Sequence, residues 1–353
     1  MTNKNSLRAK TIGAILLLSI SLGFISCKKD KPEPEPEPVV GTNEGPKVFV
    51  VNEGNFMSGN ASISLFNTLS GTAEPDYFSK QNNGALLGDV AQSMVRFGDE
   101  YFVVVNNSGK IVVCGLDLVK KAEITGFTSP RYIQPIGGNL AYVSDYSAGK
   151  LFLVDLGARS IISTITLPGE LERMEMHNNR VYVCNASKAY LYVIDAASHT
   201  VSDSIFVGEG ASSLVFDKNN KLWVLASSHW QGSMNPRLNR VNPDSMKVET
   251  FYEFASGSYP VRLCANVARD SLFYLLDGVN YMALNGSALP ATPLIASGTA
   301  NFNALKINPR THEIYVSDVI DYVQRATVII YDSKGNRRRD FKAGIMATDF
   351  YFE

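Results

Sequence analysis

Three observations predict an all-β fold, a seven-bladed β-propeller with four-stranded blades. First, a short alternating apolar strand recurs seven times: KVFVVN (47–52), YFVVVN (101–106), LAYVSD (140–145), RVYVCN (180–185), KLWVLA (221–226), SLFYLLD (271–277) and EIYVSD (313–318). Second, a polar loop and another alternating strand follow it, as in LAYVSDYSAGKLFLVD (140–155). Third, the strand ends share a residue type. The first strand closes on Asn52, Asn106, Asp145, Asn185, Ala226, Asp277 and Asp318, the second on Asn67, Asp117, Asp155, Asp195, Asn242, Asn285 and Asp332. Both series step by roughly 38 to 54 residues, the spacing of propeller blades.

The N-terminal residues stand apart from these repeats. Lys4, Arg8 and Lys10 precede an apolar run, residues 11–24, too short to span a bilayer comfortably. The next residues, FISC (24–27), resemble the lipobox of bacterial lipoproteins, with Phe24 in place of the usual Leu. Residues 1–26 are therefore expected to be a lipoprotein signal peptide, and Cys27 the lipidated residue. Lys28-Lys29-Asp30 resembles the export tag of surface lipoproteins in Bacteroidota. That resemblance implies a protein held to the outer membrane by lipid and exposed at the cell surface. In residues 27–45 the run KPEPEPEP (31–38) alternates Pro and Glu, which favours extended, self-repelling chain and reads as a tether. The propeller is expected over residues 46–353.

In chain order, innermost strands A are expected to begin near Ala91, Arg131, Arg173, Ser212, Val261, Asn303 and Ala347. The more polar outer strands D fall at 119–125, 159–167, 199–207, 247–254 and 337–342. The ring starts with a strand of type B (47–52) and ends with one of type A (345–352). Its last blade is thus expected to be closed by the two termini together, which leaves no long free edge. The Asx residue after each strand C fits a turn, because its side chain can accept a hydrogen bond from backbone two residues ahead.

Composition narrows the function. The net charge of −1 gives no basic footprint for nucleic acid. The one basic run, Arg337-Arg338-Arg339 beside Gly335 and Asn336, reads as a solvated hairpin tip. Cys114, Cys184 and Cys264 sit on apolar strands at unrelated positions and read as small buried hydrophobes. No Cys/His spacing suggests a metal.

Function is expected where loops converge, on the face built from D-to-A connections and B-to-C loops. Candidate ligand contacts on the D-to-A side are Asp89, Gln92, Arg131, Tyr132, Arg173, Tyr259, Arg262 and Asn303. On the B-to-C side they are Asn55, Phe56, Asn107, Tyr146, His229, Trp230 and Tyr322, with the strand-end residues Asp145, Asn185 and Asp318. Aromatic surface beside amide, hydroxyl and guanidinium groups suits a large, polar-edged neutral ligand. Arg131, Arg173 and Arg262 occupy equivalent positions. They read either as a clamp on an anion or on amide carbonyls, or as an ion-pair network with Glu172, Glu175 and Asp349. Asp318 and Asp321 could form an acid/base pair, but no nucleophile, metal set or phosphate loop accompanies them, so no catalysis and no catalytic cofactor is expected.

VNEGNF (51–56), GDVAQSMV (88–95), VVNNS (104–108), ITGFTSPRYI (124–133) and SDVIDY (317–322) carry a resemblance. They are similar to YncE-like seven-bladed propeller lipoproteins, the BtuG-type proteins of Bacteroidota. The resemblance runs from about Val48 to the C-terminus and is weaker over residues 170–298, which include the loop 227–236. It implies a binding protein for cobalamin or related corrinoids, whose partner is a TonB-dependent outer-membrane transporter. Alternatives are a propeller for a glycan or peptide, or a propeller lyase or hydrolase using Asp318 and a channel arginine.

Overall fold

Seven antiparallel four-stranded sheets follow one another in the computed structural model, which describes residues 45–229 and 232–353. Their innermost strands touch in a closed cycle, which makes the ring. Blade 1 comprises Ala91–Phe97, Glu100–Val105, Lys110–Gly115 and Lys120–Thr125; blade 2 comprises Pro130–Gly137, Leu140–Asp145, Lys150–Asp155 and Ser160–Thr166. Blades 3 and 4 begin at Leu171–His177 and Ala211–Phe216, blades 5 and 6 at Val261–Ala265 and Phe302–Ile307. Blade 7 joins the termini. Its strand A is Ala347–Phe352, and strands B to D are Lys47–Asn52, Ser62–Asn67 and Ala73–Glu74. The expected closure is therefore the one observed.

Burial explains why the B strands read so clearly. Each is packed between neighbouring blades on both faces, so Phe49 to Val51, Phe102 to Val105 and Leu222 to Ala226 are all inaccessible to water. Strands D lie at the rim and keep one wet face: Lys247–Glu253 alternates between exposed and half-buried. Apolar clusters fill the spaces between blades, as where Phe66 of blade 7 stacks on Phe341 of blade 6 with centroids 4.1 Å apart.

Strands A begin near the expected residues, with Arg131, Ser212 and Asn303 one residue and Arg173 two residues inside them. Strand D of blade 6 runs from Arg337 to Ile345, so the arginine run opens a strand rather than forming only a hairpin tip. Met346, at φ 56°, turns the chain into the closing strand. Two D strands, Ala73–Glu74 and Ile295–Ala296, are only two residues long, and a helix spans Tyr77–Gln81. Among the described residues the Asx turns form at five of the seven expected positions, Asn242 accepting from Asp244 N at 3.0 Å, whereas Asp155 accepts from Ala158 N, three residues on. Asn67 accepts from Leu69 N at 3.0 Å, Asp117 from Val119 N at 3.0 Å, Asp195 from Ala197 N at 2.9 Å and Asp332 from Lys334 N at 2.9 Å. Cys114 and Cys184 are buried, whereas Cys264 is half-buried. Burial pushes the thiols of Cys114 and Cys264 up to about 12, which keeps them protonated and inert.

One feature of the ring organises its centre. Every A–B ladder shifts register at its inner end: between Ala91 and Ser93, Pro130 and Ile133, Leu171 and Met174, Ala211 and Ser213, Val261 and Cys264, Phe302 and Leu305, and at Val51/Asn52 against strand A of blade 7. A bulge adds a residue and re-aims side chains. Here the displaced positions hold Gln92, Arg131, Tyr132, Glu172, Arg173, Arg262 and Asn303.

Candidate functional site

The face built from D-to-A connections and B-to-C loops carries two hollows. The first, about 510 Å³, spans blades 2 to 5 and is lined by Arg131, Tyr146, Glu170, Glu172, His229, Ser233, Asn235 and Tyr259 among others. The second, about 630 Å³, lies between blades 5 and 6, with Asp277, Asn301 and Phe302 in its wall. Residues Ser256 to Tyr259 line both hollows, and Tyr259 stands 68% exposed between them.

The first hollow has a charged, ordered wall. Arg131 donates through Nε and Nη2 to Glu172 Oε1 at 3.1 and 2.7 Å, and through Nη1 to Gln92 Oε1 at 2.5 Å. Its guanidinium lies 4.7 Å over the Tyr146 ring. Burial opposes the Arg131 charge, but Glu172, Tyr132 and Glu53 together outweigh it and hold this group above its ordinary range. Burial, and then the hydrogen bond to Glu170, pushes the Tyr146 hydroxyl up to about 12, so it remains a donor. His229 Nε2 sits 4.0 Å from Glu170 Oε2.

The far wall is a loop pinned by a residue that sequence reasoning missed. Glu209 Oε2 accepts from Ser233 N at 2.9 Å and Met234 N at 3.2 Å, while Ser228 Oγ donates to Met234 O at 2.8 Å. Gly210, at φ 79°, lets the chain pass close beneath: a Cβ there would meet Ser228 O at 2.1 Å. A glutamate flanked by two glycines, Gly208-Glu209-Gly210, was the available signal.

Of the sequence-predicted contacts, Arg131, Tyr146, His229 and Tyr259 converge on the first hollow. Asn55, Phe56 and Tyr322 gather elsewhere on this face, where Asn55 Nδ2 donates to Tyr322 O at 2.7 Å and Phe56 is 69% exposed. Asp89 and Asn107 pair with each other at 2.7 Å. Gln92 and Tyr132 are buried in the inner wall. Trp230 and Cys27 lie outside the described residues.

Other candidates are committed to holding the ring. Asp145 is buried, and its carboxylate accepts from Thr128 N and Ser129 N on one oxygen and Ser147 N and Ala148 N on the other. Asn185 ties strand B to Pro168 O, and Asp318 accepts from Asn301 N and Ile320 N. Asp321 caps Val323 N and Gln324 N, so both carboxylates of the supposed acid/base pair serve as turn caps. The three arginines part company. Arg131 joins an ion pair, and Arg262 donates to Asn303 O and Thr348 Oγ1, both at 2.8 Å. Asn303 in turn donates to Ala347 O. Arg173 instead reaches the opposite half of the channel, 3.8 Å from Asp349.

Similarity to known structures follows the architecture. A quinonprotein alcohol dehydrogenase-like protein from Bacteroides thetaiotaomicron superposes with a TM-score of 0.70 at 13% identity, covering 88% of this chain and 78% of that one. The hydrazine synthase of Kuenenia stuttgartiensis gives 0.53 at 12% identity, covering 66% and 73%. At such identities the likeness establishes the fold alone. No curated protein matches the sequence. A family model described as a domain of unknown function, DUF5074, matches residues 47–352, and the chain belongs to that family.

Proposed function

We propose that the protein is a lipid-anchored surface binder that captures cobalamin or a related corrinoid and passes it to a TonB-dependent transporter in the outer membrane. No chemistry occurs on the ligand. The observation that carries this reading is the pair of hollows of about 510 and 630 Å³ on either side of Tyr259. Together they offer a long site whose walls mix hydroxyl, amide and aromatic groups with the mutually paired Arg131 and Glu172, suited to a broad neutral ligand edged with amides. The segments VNEGNF, GDVAQSMV and ITGFTSPRYI add their resemblance to cobalamin-binding propellers. A glycan is the second reading, favoured by the flat exposed ring of Tyr259 beside polar side chains.

Calorimetry of residues 46–353 with cyanocobalamin tests the proposal. One-to-one binding is expected, weakened by Tyr146→Ala and by Tyr259→Ala, each by about tenfold or more for a buried or stacked aromatic contact. A folded domain that gives no heat with cyanocobalamin or cobinamide rejects the corrinoid, and binding of an oligosaccharide would then establish the second reading.

A further inference from the structure

A second chamber of about 340 Å³ occupies the other half of the channel and opens among the A-to-B turns. Its charged groups come from four blades: Arg173 and Glu175 from blade 3, Arg269 from blade 5, Lys306 from blade 6 and Asp349 from blade 7. Asp349 is the focus of the pairing, 3.3 Å from Lys306 Nζ and 3.8 Å from Arg173 Nη2. The second distance is too long for a hydrogen bond. Arg173 is held by its face, 4.5 Å over the Tyr132 ring. Among the described residues no acceptor lies within hydrogen-bond distance of its guanidinium, and no carboxylate within ion-pair distance of Arg269. Arg131 and Arg262, by contrast, are fully committed, and the expected equivalence fails: Arg173 stands one ladder position later, level with Tyr132 and Leu263, with Glu172 in the place of the other two arginines.

We infer that this chamber binds a compact oxyanion, of the sulfate, phosphate or carboxylate class, held by Arg173, Arg269 and Lys306. Three cations face two carboxylates in a confined space, and low-dielectric walls such as Leu214, Leu263 and Ile307 focus that excess. The free fork of Arg173 supplies paired donors suited to two oxygens of one anion. Glu175 strengthens the case. Burial pushes its carboxyl up to about 7, against the pull of Arg269, Arg173 and Lys306, so one of the two opposing charges is half lost near neutrality. An anion arriving beside it favours its proton, and binding therefore tightens as pH falls.

Thermal unfolding of residues 46–353 in sulfate, at ionic strength held constant with chloride, tests this site. Sulfate remains a dianion across the range, so any pH dependence belongs to the protein. The expected result is a saturable rise in Tm, diminished in Lys306→Met and in Arg269→Gln, whose side chain lies at the mouth of the chamber. The sulfate affinity should rise up to about tenfold from pH 8 to pH 6 through uptake of one proton, and Glu175→Gln should abolish that rise. Phosphate and succinate arms separate an inorganic from a carboxylate ligand. A response that does not saturate, or that is equal in wild type and both cation variants, is a general salt effect and overturns the proposal. The chamber shares no wall with Tyr146 or Tyr259, so these results stand apart from those with cyanocobalamin.

Discussion

Glu175 is the residue at which solution conditions should register most directly. Its folded-state carboxyl titrates near 7, whereas an ordinary glutamate releases its proton near 4.5. Between those values the folded protein keeps a proton that the unfolded chain has lost, so this group makes stability fall as pH rises. The full effect is about 3 kcal/mol, taken from the width of that window. Asp349 does not interfere there. Burial raises its carboxyl, but Lys306 and Arg173 more than offset this and hold it below the ordinary range, so it is already ionised. Glu175→Gln, neutral at every pH, should match wild type near pH 5 and exceed it in urea midpoint at pH 8. Parallel pH profiles for the two proteins would refute this account. Nothing in the sequence separated this glutamate from Glu172, three residues earlier. Glu172 meets Arg131 at 2.7 Å, while Glu175 faces the chamber. Glu172 lies inside the bulge between Leu171 and Met174, whereas Glu175 lies in the regular ladder beyond it, opposite Tyr182, and bulges leave no period in the sequence.

At the scale of the element, the strands show which signals a chain can carry. B strands are packed on both sides and C strands nearly so, and their runs of Val, Tyr, Phe and Leu were legible because burial demanded them. The two-residue D strands were not legible. Ala73–Glu74 is followed by Pro75, and Ile295–Ala296 comes after Pro290 and Pro293, so neither stretch sustains an alternating pattern. The cleft was legible as a face but not as a shape, because its far wall depends on the Glu209 contacts to Ser233 and Met234. Gly210 is the position at which that wall can be moved without touching its ligand-facing side chains. A Cβ there collides with the backbone of Ser228, and the positive φ adds strain. Gly210→Ala should therefore shift Ser228 and the segment from Ser233 to Asn235 and weaken cyanocobalamin binding about tenfold or more, as contact geometry at the wall is lost. Circular dichroism should remain that of a propeller. Unchanged affinity would mean that this loop is no part of the site.

Over the whole molecule the decisive contact is the one between the ends of the chain. Strand A of blade 7 pairs antiparallel with Lys47–Asn52, from Val48 opposite Phe352 to Asn52 opposite Ala347. Phe350 is buried there, and the Arg262 and Asn303 side chains bind the same strand from blades 5 and 6. Removing residues 346–353 would strip strand B of its inner partner and expose Phe49 and Val51 along an unpaired edge. An exposed apolar edge is an aggregation site, so the truncated chain should be insoluble or lack a cooperative thermal transition. Truncation alone does not distinguish lost closure from lost bulk, but a circular permutant does. Glu353 N already donates to Lys47 O at 3.0 Å, so a short linker can join the two ends without strain. New ends can be placed at Lys334 and Gly335, in the exposed turn before the outer strand of blade 6. This permutant retains every strand, and only the order in which the chain visits them changes. If closure by pairing is what holds the ring, it should unfold cooperatively within a few degrees of wild type. A permutant that fails to fold would show that joining blade 7 last is itself a requirement of assembly.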